Sequence, residues 1–165
     1  MEANILYQDR QLVLCIKPAG VLSEEGGMDK RYLAVCCGEA PEAGELRDLL
    51  YHDAAKNKSY VVTRQRRGVR EAALRFETLD RREGRSLVRV ELLTGRSHQI
   101  RVQFASRKLP LLGDRRYGGD PAPALALWSE ALRFSHPESG EKLAFSAPPP
   151  AEAPWTQFEM KNGQP

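Results

Sequence analysis

Leu93 to Gly119, LTGRSHQIRVQFASRKLPLLGDRRYGG, decides how the rest of the chain is read. Thr94-Gly95 makes a turn at the end of a strand-like run, and a helix is expected from about Ser97 to Lys108. A Gly/Asp/Tyr loop closes the stretch. Packed into it are Arg96, His98, Gln99, Arg101, Arg107, Lys108, Arg115 and Arg116, and no acid appears before Asp114. Guanidinium forks and free N–H groups at a helix start suit recognition of phosphates and base edges. Ile100 and Phe104, four apart, fit equally well a solvated helix whose apolar pair faces a core. Spacing alone does not separate the two.

Upstream of the helix, Ala72, Leu74, Phe76 and Thr78 alternate with Ala73, Arg75 and Glu77, and Val88, Val90 and Leu92 alternate with Arg89 and Glu91. Two period-2 runs across a polar Leu79–Gly84 turn predict an antiparallel hairpin, with Arg75, Glu77, Arg89 and Glu91 placed to pair across its exposed face. Ile5 to Tyr7 and Leu12 to Ile16 predict another. The second strand there is apolar on both faces, which implies cover on both sides. Lys17-Pro18-Ala19-Gly20 stops it. Lys30 to Cys37, KRYLAVCC, reads as a strand with Tyr32, Ala34 and Cys36 on one face. Leu125 to Phe134 and Lys142 to Phe145 flank a turn that holds His136. The expected architecture is α+β, a mixed, mainly antiparallel sheet with few helices, over a domain of residues 1–150. A frayed or extended tail is expected over 151–165.

The 165 residues carry a net charge of +3, mild in sum but uneven in distribution. Lys56, Lys58, Arg64, Arg66, Arg67 and Arg70 fall in one acid-free stretch, and residues 39–45 carry only acids. A basic stripe on a near-neutral domain fits a polyanion partner, and fits a solubilising face as well. Cys15, Cys36 and Cys37 form no C-x-x-C pair. They are expected to be buried thiols in a reducing cytoplasm, with neither a disulfide nor a metal site. The N-terminus has no secretory pattern, and apolar runs of about five residues fall far short of a membrane span. His52 is expected to make a local polar contact.

TGRSHQIRVQFASRKLPLLGDRRYG resembles the signature of the RNA pseudouridine synthases of the ribosomal large-subunit type. DRQLVLCIKPAGVL, DKRYLAV and LWSEALRFSHPESGEKLAFSAPPP follow that family's order. The resemblance implies isomerisation of uridine to pseudouridine in rRNA or tRNA, with no metal or organic cofactor. It implies that Tyr32 stacks on the target base, that Arg101 ion-pairs with the attacking carboxylate, and that Ile100 and Leu112 wall the uracil. Lys17, Arg96, His98 and Gln99 would lie at the substrate, and Lys56, Lys58, Arg64, Arg66 and Arg67 on the RNA backbone. A tyrosine suits its place as a π-face and as a hydroxyl whose pKa can be lowered locally.

One piece of the pattern is missing. Only nine residues separate Gly20 from Lys30, where the family places its arginine–leucine–aspartate loop. Leu79-Asp80-Arg81 imitates that motif in the wrong place, inside the expected hairpin turn. The alternatives are an inactive RNA-binding relative and a truncated fragment. Arg101, lacking its usual carboxylate, must then be solvated, bound to phosphate, or paired with Glu24, Glu25 or Asp29.

Overall fold

The computed structural model describes residues 4–10, 13–16 and 28–159. Its strands are β1 (Asn4–Gln8), β2 (Val13–Ile16), β3 (Asp29–Cys37), β4 (Ala43–Asp53), β5 (Lys58–Val62), β6 (Val69–Arg82), β7 (Arg85–Leu92), β8 (Leu127–Ser135) and β9 (Lys142–Ser146). One helix, α1 (Gln99–Ala105), lies between β7 and β8, and a 3-10 turn spans Trp155–Gln157. Seven strands form one sheet in the order β5-β4-β6-β7-β3-β8-β9, while β1 and β2 pair separately. Every pairing among the described strands is antiparallel. This is the expected α+β architecture.

Alternation in β6 and β7 supplies the centre of the sheet. Leu74, Phe76, Val88 and Val90 are buried, while Arg75, Glu77 and Glu91 face solvent. Arg89 Nη1 meets Glu77 at 3.0 Å as expected, whereas Arg75 turns to Glu45 of β4 at 2.9 Å. The hairpin turn is tighter than the sequence suggests. Strand pairing continues past Thr78 through a register shift, and the reversal falls at Glu83-Gly84, with φ of 51° and 68°. Two positive φ values suit the right-handed twist of the strands. Asp80 is therefore a strand residue beside the irregularity. It accepts from the Glu159 N–H at 2.8 Å and Arg82 Nε at 3.0 Å.

The sheet is covered on both faces. On one, Ile100 and Phe104 of α1 pack with Ala34, Cys36, Leu74, Phe76, Val88, Val90 and Leu111. The Phe104 and Phe76 rings meet at 5.2 Å. On the other, Leu33, Val35 and Leu87 pack with Leu112, Ala126, Trp155 and Phe158. The expected frayed tail instead turns back as far as Phe158, because two large apolar rings there find an uncovered face of the sheet. The helix ends as Lys108 takes the left-handed conformation (φ 61°). The Lys108 N–H then reaches Ala105 O and the Leu109 N–H reaches Phe104 O, satisfying carbonyls that the helix leaves open.

The β1–β2 hairpin forms as expected, but Ile5, Leu6 and Val13 are exposed, so the strand is not covered on both sides. The pair stands outside the main seven-stranded sheet. Asp9 Oδ2 meets His136 Nε2 at 2.9 Å, and the Tyr7 ring lies 5.5 Å from that of Phe145. Cys36 is buried and Cys37 half-buried, whereas Cys15 is exposed rather than buried. No helix among the described residues is long and apolar enough to cross a membrane.

Candidate active site and nucleic-acid surface

Arg101 is neither solvated nor unpaired. Its Nε donates to Asp114 Oδ2 and its Nη2 to Asp114 Oδ1, each at 2.8 Å. The Asp114 side chain is fully buried and that of Arg101 is 18% exposed. Oδ1 of Asp114 also accepts the backbone N–H groups of Arg116 and Tyr117, both at 3.2 Å. Asp114 thus anchors the guanidinium and folds its own loop at once. Glu24 and Glu25 lie outside the described residues, and strand alternation puts Asp29 with Arg31 and Leu33, on the face opposite Tyr32.

The loop that carries Asp114 also closes the open edge of the sheet. The edge strand β5 presents its Ser59 backbone to the hydroxyl of Tyr117. That hydroxyl accepts the Ser59 N–H at 2.8 Å and lies 3.2 Å from Ser59 O. Arg116 Nη1 donates to Lys56 O at 2.7 Å. Edge groups left open would invite another strand, and here side chains occupy them. The Arg101 guanidinium lies 5.1 Å from the centre of the Tyr117 ring. Two glycines permit the loop. A Cβ on Gly119 would fall 1.9 Å from Leu111 O, and one on Gly113 (φ 79°) would fall 2.1 Å from Ala124 O.

His98 precedes α1 in the left-handed conformation (φ 56°), with Nδ1 3.0 Å from the Tyr117 hydroxyl. Burial lowers its pKa to about 4, and the charges of Arg101 and Arg116 push the same way, so the ring is neutral at pH 7. His52 bonds to Ser59 Oγ at 3.1 Å, the local contact expected of it, and its ring stands 6.1 Å from that of His98. Gln99 is buried and hydrogen-bonded through both its oxygen and its nitrogen. Its Oε1 accepts from the Arg96 N–H and Thr94 Oγ1, and its Nε2 donates to Ala73 O at 3.0 Å. It ties the turn to β6. The bond to Gln99 Oε1 takes the Arg96 N–H, and α1 begins at Gln99 rather than near Ser97 and has seven residues.

Tyr32 lies in β3, half-buried against the apolar cluster that contains Ile100, on the α1 side of the sheet. Its pKa is raised above that of an ordinary phenol, chiefly by burial, while a hydrogen bond with Ser129 lowers it. The hydroxyl is therefore protonated near neutral pH, contrary to the expectation of a lowered pKa. Tyr32 and Arg101 share a face of the sheet. Among the described residues they form no hydrogen bond with each other, since Arg101 turns toward Asp114 and the β5 edge. Ile100 and Leu112 are both buried, but in clusters on opposite faces, so they do not wall one pocket together.

Lys56, Arg64, Arg66 and Arg67 are exposed and Lys58 is half-exposed, along β5 and the loops that flank it. Arg96 reaches back to Glu71 O at 2.9 Å. Lys17 lies outside the described residues. Sequence reasoning missed Asp114, Tyr117 and Ser59. One signal could have found the first, since Asp114 is the first acid after Glu91 and so the nearest counter-charge the segment offers Arg101.

Architecture places the molecule among antiparallel-sheet domains of the pseudouridylate synthase type. It matches human RNA pseudouridylate synthase domain containing 1 with a TM-score of 0.76 and 17% identity, over 90% of this chain and 84% of that one. Human RNA pseudouridylate synthase domain containing 4 gives a TM-score of 0.59 at 21% identity, over 75% of this chain and 59% of that one. Sequence carries the assignment further, because the family model for RNA pseudouridylate synthase matches residues 19–106. An uncharacterized RNA pseudouridine synthase of Mycobacterium bovis is 34% identical over 133 residues, 76% of this chain and 42% of its own. Ribosomal large subunit pseudouridine synthase D of Neisseria meningitidis is 31% identical over 141 residues, 77% of this chain and 37% of its own. The chain belongs to the RNA pseudouridylate synthase family. It spans less than half the length of these curated relatives.

Proposed function

We propose that the chain isomerises uridine to pseudouridine in structured RNA, with Arg101 and Tyr32 as catalytic groups and the basic edge of the sheet on the phosphate backbone. The observation that carries this is the state of Arg101. Asp114 engages two of its N–H donors, Nη1 makes no hydrogen bond among the described residues, and the side chain keeps 18% exposure. A guanidinium has five such donors. A fork fixed on one side therefore still offers N–H groups to an attacking carboxylate or a phosphate. Asp114 is not that nucleophile, because it is fully buried and its oxygens are taken by Arg101 and two backbone N–H groups.

In the reaction the N1–C1′ bond breaks, the uracil turns, and a C5–C1′ bond forms. N1 gains a proton and the C5 hydrogen leaves to water. The uridine must come out of its stack, at a cost of a few kcal/mol that stacking and phosphate contacts offset. Tyr32, protonated and half-buried, suits the stacking role better than that of a base already in its charged form. The reaction needs an attacking carboxylate, and Glu24 and Glu25, two of the acids that precede Tyr32 in the sequence, lie outside the described residues. Ribosomal RNA is the first substrate to test, given the name of the Neisseria relative, and the cytoplasm is the compartment that fits free thiols.

The test is to incubate the full chain with large-subunit ribosomal RNA, digest the RNA and separate its nucleosides by chromatography. Pseudouridine should appear, and should vanish with Arg101→Met. RNA retained by the protein with no pseudouridine formed would leave only the binding role.

A further inference from the structure

Cations and aromatic rings alternate along one edge of the sheet, from α1 outward. Arg101 lies 5.1 Å from the Tyr117 ring, and Lys58 Nζ lies 5.4 Å from Tyr117 and 5.6 Å from Tyr60. Tyr60 sits directly opposite Tyr51 in the β4–β5 register, so both rings share a face. The Arg66 guanidinium stands 5.0 Å from the Tyr51 ring. Tyr60 is 36% exposed although it lies on an edge strand. Asp53, on this face, is held by Lys56 at 3.7 Å, Glu71 stands on the same face opposite Leu49, and Lys58 and Arg66 form no ion pair among the described residues.

A row of exposed cations serving only solubility has no need of rings between them. A β-ribbon core would bury such rings rather than leave one open. Unpaired nucleic acid asks for both components, because each base offers a π-face and each phosphate a charge at similar spacing. A duplex keeps its bases stacked on one another and offers such a surface phosphates alone.

We propose that Tyr51, Lys58, Tyr60, Arg66 and Tyr117 form a binding track for an unpaired RNA strand, with a base stacked on Tyr60 and phosphates on Lys58 and Arg66. This rests on the RNA-directed function proposed above and adds a site outside the uridine pocket. Tyr51 and Tyr60 point away from α1, because Leu50 and Ser59 beside them face it, so a strand in this track passes round the β5 edge at Lys58 and Tyr117 to reach Arg101. The protein therefore selects uridines that have single-stranded neighbours.

The test measures fluorescence anisotropy with a labelled single-stranded oligouridine and a blunt RNA duplex of equal length, over a salt series. Tyr60→Ala is expected to weaken single-strand binding about 5- to 150-fold, the range for loss of one stacked base. The salt slope should stay unchanged and the duplex should be little affected. Tyr60→Phe, which keeps the ring, should bind as the unaltered chain does. Lys58→Ala should instead flatten the salt slope by about 0.7 for the lost phosphate contact. Equal single-strand affinity for Tyr60→Ala and the unaltered chain overturns the track and leaves the RNA function standing. Failure of the unaltered chain to bind either RNA overturns both.

Discussion

Replacing Asp114 by Asn tests the anchor on which the site depends. The change keeps the shape of the side chain and one oxygen, which can still take the N–H groups of Arg116 and Tyr117. It removes the charge opposite Arg101 and turns an N–H donor toward a guanidinium that has only donors. Breaking one half of a buried ion pair costs about 3–5 kcal/mol. Arg101 retains 18% exposure and can recover some hydration, so the lower end applies, about 3 kcal/mol. A chain of this length loses about 2–4 °C in melting temperature per kcal/mol, which gives a fall of about 6–12 °C. Urea unfolding and calorimetry on Asp114→Asn, Arg101→Met and the double variant complete a cycle. The double variant should be less damaged than the sum of the two, because neither charge is then stranded. Additive losses, or a cost for Asp114→Asn below about 1 kcal/mol, would refute the clamp.

The depressed pKa of His98 ties stability to pH. The folded ring binds its proton only near pH 4, while the unfolded ring binds it near its ordinary value of 6.5, so stability is fully present above pH 6.5 and is lost as pH falls toward 4. His98→Asn, which tolerates the left-handed backbone, should flatten that decline in urea titrations across the window; an unchanged decline would assign it to other groups. Gly119→Ala, whose Cβ would meet Leu111 O at 1.9 Å, should cost more than about 2 kcal/mol, read as a lowered urea midpoint. Phe158→Ala should cost about 3 kcal/mol, because the ring is 8% exposed in the second core; a loss near zero would return residues 155–158 to a loose tail.

How much of this was written in the sequence varies from element to element. Period-2 alternation placed Leu74, Phe76, Val88 and Val90, because a sheet with one buried face must repeat every two residues. The helix followed from Ile100 and Phe104. Its start did not, because Gln99 looks like a recognition side chain until its partners at Thr94, Arg96 and Ala73 are seen. Leu111 and Leu112 look equivalent in KLPLLGD, yet they enter cores on opposite faces. No period governs a loop, so no count of residues could have separated them. The reversal at Glu83-Gly84 was hidden because Leu79 to Arg82 is polar enough to pass for a turn while it still pairs with β7. The partner of Arg101 was hidden for a similar reason. Asp114 is thirteen residues away along the chain and reaches the guanidinium only because the Gly113 and Gly119 backbones allow the loop to close.

Uridine labelled with tritium at C5 gives the most direct test, since that hydrogen must leave to water when C5 becomes the glycosidic carbon. Large-subunit ribosomal RNA carrying the label should lose tritium steadily when the chain is added, and loss should cease with Arg101→Met while the RNA is still bound. A bound RNA that keeps all its tritium with the unaltered chain would contradict the proposed activity.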